Sequence, residues 1–299
     1  DNTVIVEDSH IGRQGATDSK CHLVSVQDRN DLNQKTIDRI KKILSSNKKK
    51  FVFWENKTMN ILIPMAGRGS RFATQGFTFP KPLIEVRGKP MIQVVVDNLN
   101  IQAKFTFIVL KEHYEKYSLQ YLLNLIAPDC NIVQVDGITE GAACTTLLAK
   151  EFIDNDQPLL MANSDQFVEW DSNETLYAFS NGDCDGGILT FPASHPKWSY
   201  AKLDDDGFVS EVAEKKPISE HATVGVYWWK KGSDYVKYAE QMIEKNIRTN
   251  GEFYVCPVFN EAIEDDKRVR IKEIDKDGMW GIGTPEDLNY FLKNYEGDI

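Results

Sequence analysis

The chain has 299 residues, 41% of them hydrophobic and 27% charged, with a formal net charge of −10. That supports a sizeable core in one large or two small domains. The acidic balance argues against a general nucleic-acid binder, which needs a basic face. No apolar run approaches the ~20 residues of a membrane span, and no stretch reads as a signal peptide. Cys21, Cys130, Cys144, Cys184 and Cys256 form no C-x-x-C pair, so neither disulfides nor structural zinc are expected and a reducing cytoplasm is the expected setting.

In chain order, residues 3–6 read as a short buried strand with Glu7 and Asp8 at its carboxyl end. Residues 11–19 read as a helix, 21–26 as a second strand and 32–44 as a second helix. The string VIVEDSHIGRQGA resembles the fourth motif of haloacid-dehalogenase-type phosphatases. That resemblance implies an acidic pair holding Mg2+ beside a nucleophilic aspartate on the domain's first strand. The sequence contains no such first strand. Residues 1–46 are therefore expected to be a C-terminal fragment of such a domain, cut off from its upstream part and without phosphatase activity. An ordinary βαβ extension of the main domain is the other reading. So small a unit does not bury a core alone and is expected to pack on the larger domain or to be loosely ordered. The run SSNKKKFVFWENKT places a solvated linker at 47–58.

From Met59 to the end, strands and helices alternate. Strands are predicted at 60–64, 105–110, 132–135 and 158–162, with helices at 90–98, 114–127 and 142–152. Such alternation implies parallel strands joined by right-handed crossovers. The expected fold class is α/β: a Rossmann-like three-layer α/β/α domain at 59–299 with a mixed, mainly parallel sheet, and a ligand crevice at the strands' carboxyl ends. The second half is richer in strands, at 187–191, 200–203, 208–213, 223–229 and 269–274, with a helix at 233–245. The last helix, 285–292, has Thr284 as N-cap and Pro285 in first position.

The run ILIPMAGRGSRFATQGFTFPKPLIEVRGKPM carries the chemistry. Glycines after an apolar strand let backbone N–H groups approach phosphate oxygens, and Arg71 and Lys81 supply opposing charge. The ordered string resembles the signature of the sugar-nucleotidyltransferase family, GT-A-like enzymes that join a nucleoside triphosphate to a sugar 1-phosphate. That resemblance implies Mg2+ as cofactor, pyrophosphate as product and a place in NDP-sugar or polysaccharide biosynthesis. It implies that Ala66, Gly67 and Gly69 wrap the triphosphate, that Arg71 binds its outer phosphates and that Lys81 contacts phosphates at the reacting centre. Lys89 of Gly-Lys-Pro is expected to be structural.

Further matches follow the chain. Gly141 and Ala142, opening a helix, resemble the turn that in the family lets the base approach. Asp136 falls near the family's base-reading side chain. A carboxylate there accepts from the N4 amine of cytosine or the N1/N2 edge of guanine, a lean toward CTP or GTP; a solvated loop aspartate is the alternative. Asp165, closing the strand PLLMA-NSD, is the expected Mg2+ ligand. EVAEKKP and TVGVYWW resemble the acceptor half, with Glu214, Lys215 (or Lys216) and Gly225. Glu252 in NGEFYVCPVF is placed near the acceptor.

MWGIGTPEDL departs from the family pattern, because Gly281 stands where a second metal-binding Asp belongs. Either one carboxylate serves with phosphates and water, or an acid is borrowed from elsewhere. The acceptor then need not be a hexose phosphate; phosphocholine-like molecules are used by some relatives. Trp280 reads as an acceptor-stacking ring or a core residue. Asp204-Asp205-Asp206 before Gly207 reads as a hairpin turn, not a metal motif. The expected partners are a nucleoside triphosphate and a phosphorylated small molecule, with no nucleic acid, no membrane and homo-oligomerisation left open. Two rivals stand. A GT-A glycosyltransferase would want D-x-D where Asn163-Ser164-Asp165 stands. A non-catalytic nucleotide-binding domain would follow from loss of the second Asp.

Overall fold

The computed structural model describes residues 3–9, 22–26, 29, 32–45, 58–180, 183–297 and 299. The helix expected at 11–19 and nearly all of the expected linker lie outside them. In the N-terminal unit, β1 (Val4–Glu7) pairs in parallel with β2 (His22–Ser25), followed by a helix at Gln34–Ser45.

The main sheet begins at β3 (Asn60–Pro64), at the predicted residues. Two short strands, β4 (Glu85–Val86) and β5 (Lys89–Pro90), make a hairpin. Then come β6 (Lys104–Leu110), β7 (Asn131–Val135), β8 (Leu159–Ala162) and the short β9 (Gln166–Val168). The second half adds β10 (Gly186–Pro192), β11 (Ser199–Leu203), β12 (Val209–Glu214), β13 (His221–Trp229), β14 (Val269–Glu273) and β15 (Met279–Gly281). Among the described residues the sheet has nine strands, in order β12-β11-β13-β8-β3-β6-β7, with β10 on β13 and β14 on β10.

β8, β3, β6 and β7 are mutually parallel. β13 runs antiparallel to β8, and β10 antiparallel to β13. The chain leaves β3 outward through β6 and β7, then returns to β8 on the other side of β3. The strand order therefore reverses between β3 and β8, which in open α/β sheets is where the ligand crevice lies.

Side chains alternate across the sheet with period two. Ile61, Ile63, Phe107, Val109 and Leu160 pack into one core layer, and Leu62, Ile108, Leu110, Leu159 and Met161 into the other. With helices over both faces, these strands read as continuous apolar runs.

Two predicted helices prove to be broken. The one at 114–127 is Lys111–Tyr117 followed by Leu119–Ile126, interrupted by Ser118 at φ 51°. The one at 142–152 is Ala142–Leu147 followed by Lys150–Ile153. Helices at Ser70–Thr74, Ser172–Ser180 and Val258–Glu264, and the β9–β15 pair, had no sequence signal of their own. They are short, and β15 is a strand only because it finds β9 far away in the chain. The Asp204–Gly207 turn closes the β11–β12 hairpin as expected: Asp204 Oδ1 accepts from the N–H groups of Asp206 and Phe208, and Gly207 takes φ 79°.

Candidate active site

Three segments remote in sequence meet at the β3–β8 switch point. The first follows β3. Gly69 sits at φ 61° as N-cap of Ser70–Thr74, a conformation glycine adopts without strain. A Cβ there would stand 3.0 Å from Cβ of Lys81, so the glycine lets the Pro-Lys-Pro turn close against the loop. The second segment is that turn, a 3-10 turn at Lys81–Leu83 led by Pro80 at φ −63°. The third follows β8 and carries Asp165. Lys81 Nζ donates to Asp165 Oδ2 at 2.9 Å, with the two side chains 21% and 30% exposed.

Asp165 is gripped from the far end of the chain as well. Its carbonyl accepts from the Ile282 N–H at 3.0 Å. A Cβ on Gly283 would lie 2.1 Å from its Oδ2, so only glycine allows this approach. Arg71 is exposed on the short helix after Gly69. That helix is tied to the C-terminal helix, Pro285–Asn294, by Gln75 donating to Glu286 at 2.8 Å. Ala66 and Gly67 lie in the same loop, Ala66 half-buried and Gly67 exposed. Lys89 pairs with Asp97 at 2.9 Å, tying the β4–β5 hairpin to the last turn of the helix Met91–Leu99.

Asp136 follows β7 and is 92% exposed, with Lys111 Nζ, which follows β6, 3.9 Å away. Gly141 has φ 140°, and a Cβ on it would lie 2.4 Å from both N and O of Phe253. The Ala143 N–H donates to Phe253 O at 3.0 Å and the Phe253 N–H to Glu140 O at 2.9 Å. Arg248 stacks 3.9 Å above the Phe253 ring and pairs with Glu140. The loop with Gly141 and Ala142 is thereby stitched to the loop carrying Glu252.

Glu214 ends β12 directly across from Ser199 on β11, whose hydroxyl donates to its carboxylate. Burial pushes the Glu214 carboxyl above its usual range, assisted by the Glu252 charge and opposed by the Ser199 hydrogen bond and the Lys215 charge. Beneath it lie Cys256, whose thiol is driven up by burial, and Tyr227, hydrogen-bonded to Thr223 at 3.0 Å. Lys215 takes φ 56°. Its N–H donates to Trp198 O at 3.0 Å, and its ammonium reaches the Tyr254 hydroxyl and sits 4.4 Å over that ring. Lys216 is exposed. Glu214, Lys215, Glu252 and Tyr254 thus form one electrostatic group.

Gly225, at φ 80°, faces Asn163: a Cβ would lie 2.1 Å from its Nδ2, and Gly225 O accepts from the Asn163 N–H at 3.0 Å. Trp280 belongs to the aromatic pile of Tyr290, Phe291 and Tyr295, with centroids 6.0, 5.7 and 5.3 Å away, and donates to Glu169 at 3.0 Å. Sequence reasoning missed the part played by Tyr254. It is visible only as the second residue after Glu252, a motif glutamate.

A family model described as nucleotidyl transferase matches residues 61–296. Among curated proteins, the chain is 26% identical over 251 residues to a bifunctional protein GlmU of Methanocaldococcus jannaschii, covering 81% of this chain and 56% of that protein. It is 28% identical over 233 residues to the low-salt glycan biosynthesis nucleotidyltransferase Agl11 of Haloferax volcanii, covering 74% and 62% respectively. The chain thus spans 56% and 62% of the length of these two relatives. The fold is shared with a nucleoside-diphosphate-sugar pyrophosphorylase from Vibrio cholerae RC9, with a TM-score of 0.67 at 24% identity over 78% of this chain and 99% of that one.

Proposed function

This chain belongs to the nucleotidyl transferase family, and from that premise we propose that it transfers a nucleoside monophosphate from a nucleoside triphosphate to a sugar 1-phosphate or a similar phosphorylated small molecule. The observation that carries the reading is the meeting of the glycine loop, Lys81 and Asp165 at the point where the strand order reverses. A phosphate oxygen of the acceptor forms a bond to the α-phosphorus, the bond from that phosphorus to the β-phosphate's bridging oxygen breaks, and pyrophosphate leaves. The acceptor oxygen is already anionic, so no general base is needed. The protein's part is placement and charge. The N–H groups of the Ala66–Gly69 loop cradle the triphosphate, Arg71 and Lys81 oppose its charge, and Asp136 meets the base beside the Gly141–Ala142 turn. Glu214, Lys215 and Glu252 hold the acceptor near Gly225.

Mg2+ fits this site. Asp165 brings its carboxylate against the glycine at 283, and Mg2+ takes one or two carboxylates together with substrate phosphates and water. When bound, the ion supplies positive charge to the phosphates. The same proposal reads the chain as a cytoplasmic enzyme of NDP-sugar synthesis. It reads residues 1–46 as a unit built like the last part of a haloacid-dehalogenase-type phosphatase domain, with 47–58 a linker to the catalytic domain at 59–299. The parallel β1–β2 pair with Glu7 and Asp8 at the strand end supports that reading. Among the described residues no helix is long and apolar enough to cross a membrane.

The test is thermal unfolding of the full chain with CTP, GTP, UTP, dTTP or ATP, each with Mg2+. A ligand at about 100 times its Kd adds about 2.7 kcal/mol. One triphosphate should raise the midpoint well above its diphosphate, and pyrophosphate release with that nucleotide then identifies the acceptor. A shift with nucleotide sugars and with no triphosphate would mean an enzyme that consumes activated sugars instead.

A further inference from the structure

Two carboxylates face the segment Gly281–Gly283. Asp165 Oδ2 occupies the space beside Gly283, 2.1 Å from where a Cβ would stand. Asp287 Oδ2 lies 3.5 Å from where a Cβ on Gly281 would stand, close to the space a longer side chain there would fill. Ile282, between them, is fully buried, while Gly281 and Gly283 are both half-buried. Gly281 closes β15 and Gly283 lies in the bend before the C-terminal helix, with only the buried Ile282 between them, so the two carboxylates flank one short segment.

Asp287 is held there by the first turn of the C-terminal helix. Its N–H donates to Thr284 Oγ1 at 3.1 Å, and that hydroxyl donates to its Oδ2 at 2.9 Å. Its Oδ1 pairs with Lys197 Nζ at 3.7 Å, between two well-exposed side chains. A pair of that kind holds weakly, so one oxygen remains available to a cation.

Resting on the nucleotidyl-transfer reading, we infer that Asp287 supplies the second carboxylate to the divalent cation held by Asp165, in place of the side chain that Gly281 lacks. Two carboxylates completed by phosphate and water oxygens are a donor set that Mg2+ accepts. A Cβ on Gly281 would make only ordinary contacts with Asp287, so a carboxylate introduced at 281 fits and would reach for the same place.

The full chain would be titrated with Mn2+ in the presence of inorganic tripolyphosphate, free Mn2+ being read by electron paramagnetic resonance; no turnover is involved. Asp287→Asn should weaken Mn2+ binding at least about tenfold, the lower end of what even outer-shell partners contribute. Gly281→Asp placed on Asp287→Asn should restore it. Asp165→Asn is the control. If Asp165→Asn loses the ion and Asp287→Asn keeps it, the inference fails and the functional reading stands. A loss in Asp287→Asn that Gly281→Asp does not repair marks Asp287 as a helix cap and also overturns the inference. Absence of the wild-type signal overturns both.

Discussion

On the proposed triphosphate side, Gly69 and the Pro80–Pro82 turn shape the backbone locally, with Arg71 exposed and Lys81, mostly buried, paired with Asp165. On the acceptor side, Glu214 and Lys215 depend on partners from other strands and loops: Ser199 across the β11–β12 pair, Trp198, Tyr254 and Glu252. A site made from local backbone geometry can lose a charged side chain without losing its shape. A site made from a half-buried network couples each side chain to folding. Substitutions on the two sides should therefore divide differently between activity and stability.

The largest effect on activity belongs to Lys81→Ala. On the proposed mechanism it removes a charge at the reacting centre, where loss of one such group costs ~10²–10³ in rate. The chain should stay folded with a lowered unfolding midpoint, because the mostly buried Asp165 carboxylate loses its partner. Pyrophosphate release and a melting curve on one preparation check both halves, and normal turnover would sink the assignment.

Next comes the seam between the halves. Gly141→Ala forces a Cβ against the Phe253 backbone at a φ that side chains avoid. The strain should cost about 1–3 kcal/mol, or a few degrees of midpoint at about 2–4 °C per kcal/mol. It should also raise KM for both nucleotide and acceptor, since it separates the loops that serve each.

Lys215→Ala should raise the acceptor KM about tenfold or more, in line with a charge-assisted hydrogen bond of about 1.5–3 kcal/mol. Lys216→Ala should stay within about 0.5 kcal/mol, as for an ordinary surface change. Equal effects of the two would erase the register proposed for the acceptor half.

The smallest effect is a pH signature. The Glu214 carboxyl is raised above 4.5 by burial, so its ionisation weakens the folded state as pH climbs through the raised value. Glu214→Gln should melt slightly higher than wild type at neutral pH, and the difference should vanish below the ordinary value of 4.5. A difference independent of pH would mean that Glu214 is not desolvated.

Most of the first half was legible in the sequence because its signals are local. Continuous apolar strands, the glycine loop and a lysine between prolines each dictate their own backbone, and β3 falls where it was predicted. The two overlong helices failed for a physical reason. Ser118 in a left-handed conformation and the break after Leu147 interrupt sequences whose apolar periodicity continues across them. On the proposed acceptor side, Glu214, Lys215 and Glu252 were legible as motif residues but their partners were not, since Ser199 and Tyr254 matter only through where the chain brings them.

The sequence by itself determined the alternating α/β order, the glycine loop with its two cations, and the carboxylate at the end of β8, because backbone freedom and hydrophobic period act over a few residues. Tertiary structure alone decided that Lys81 meets Asp165, that Gly141 seats against Phe253, and that Asp287 lies beside the bare glycine at 281. Lys81 with Asp165 and Gly141 with Phe253 are tens of residues apart and meet only in the folded sheet, while Asp287 reaches Gly281 through the first turn of the C-terminal helix.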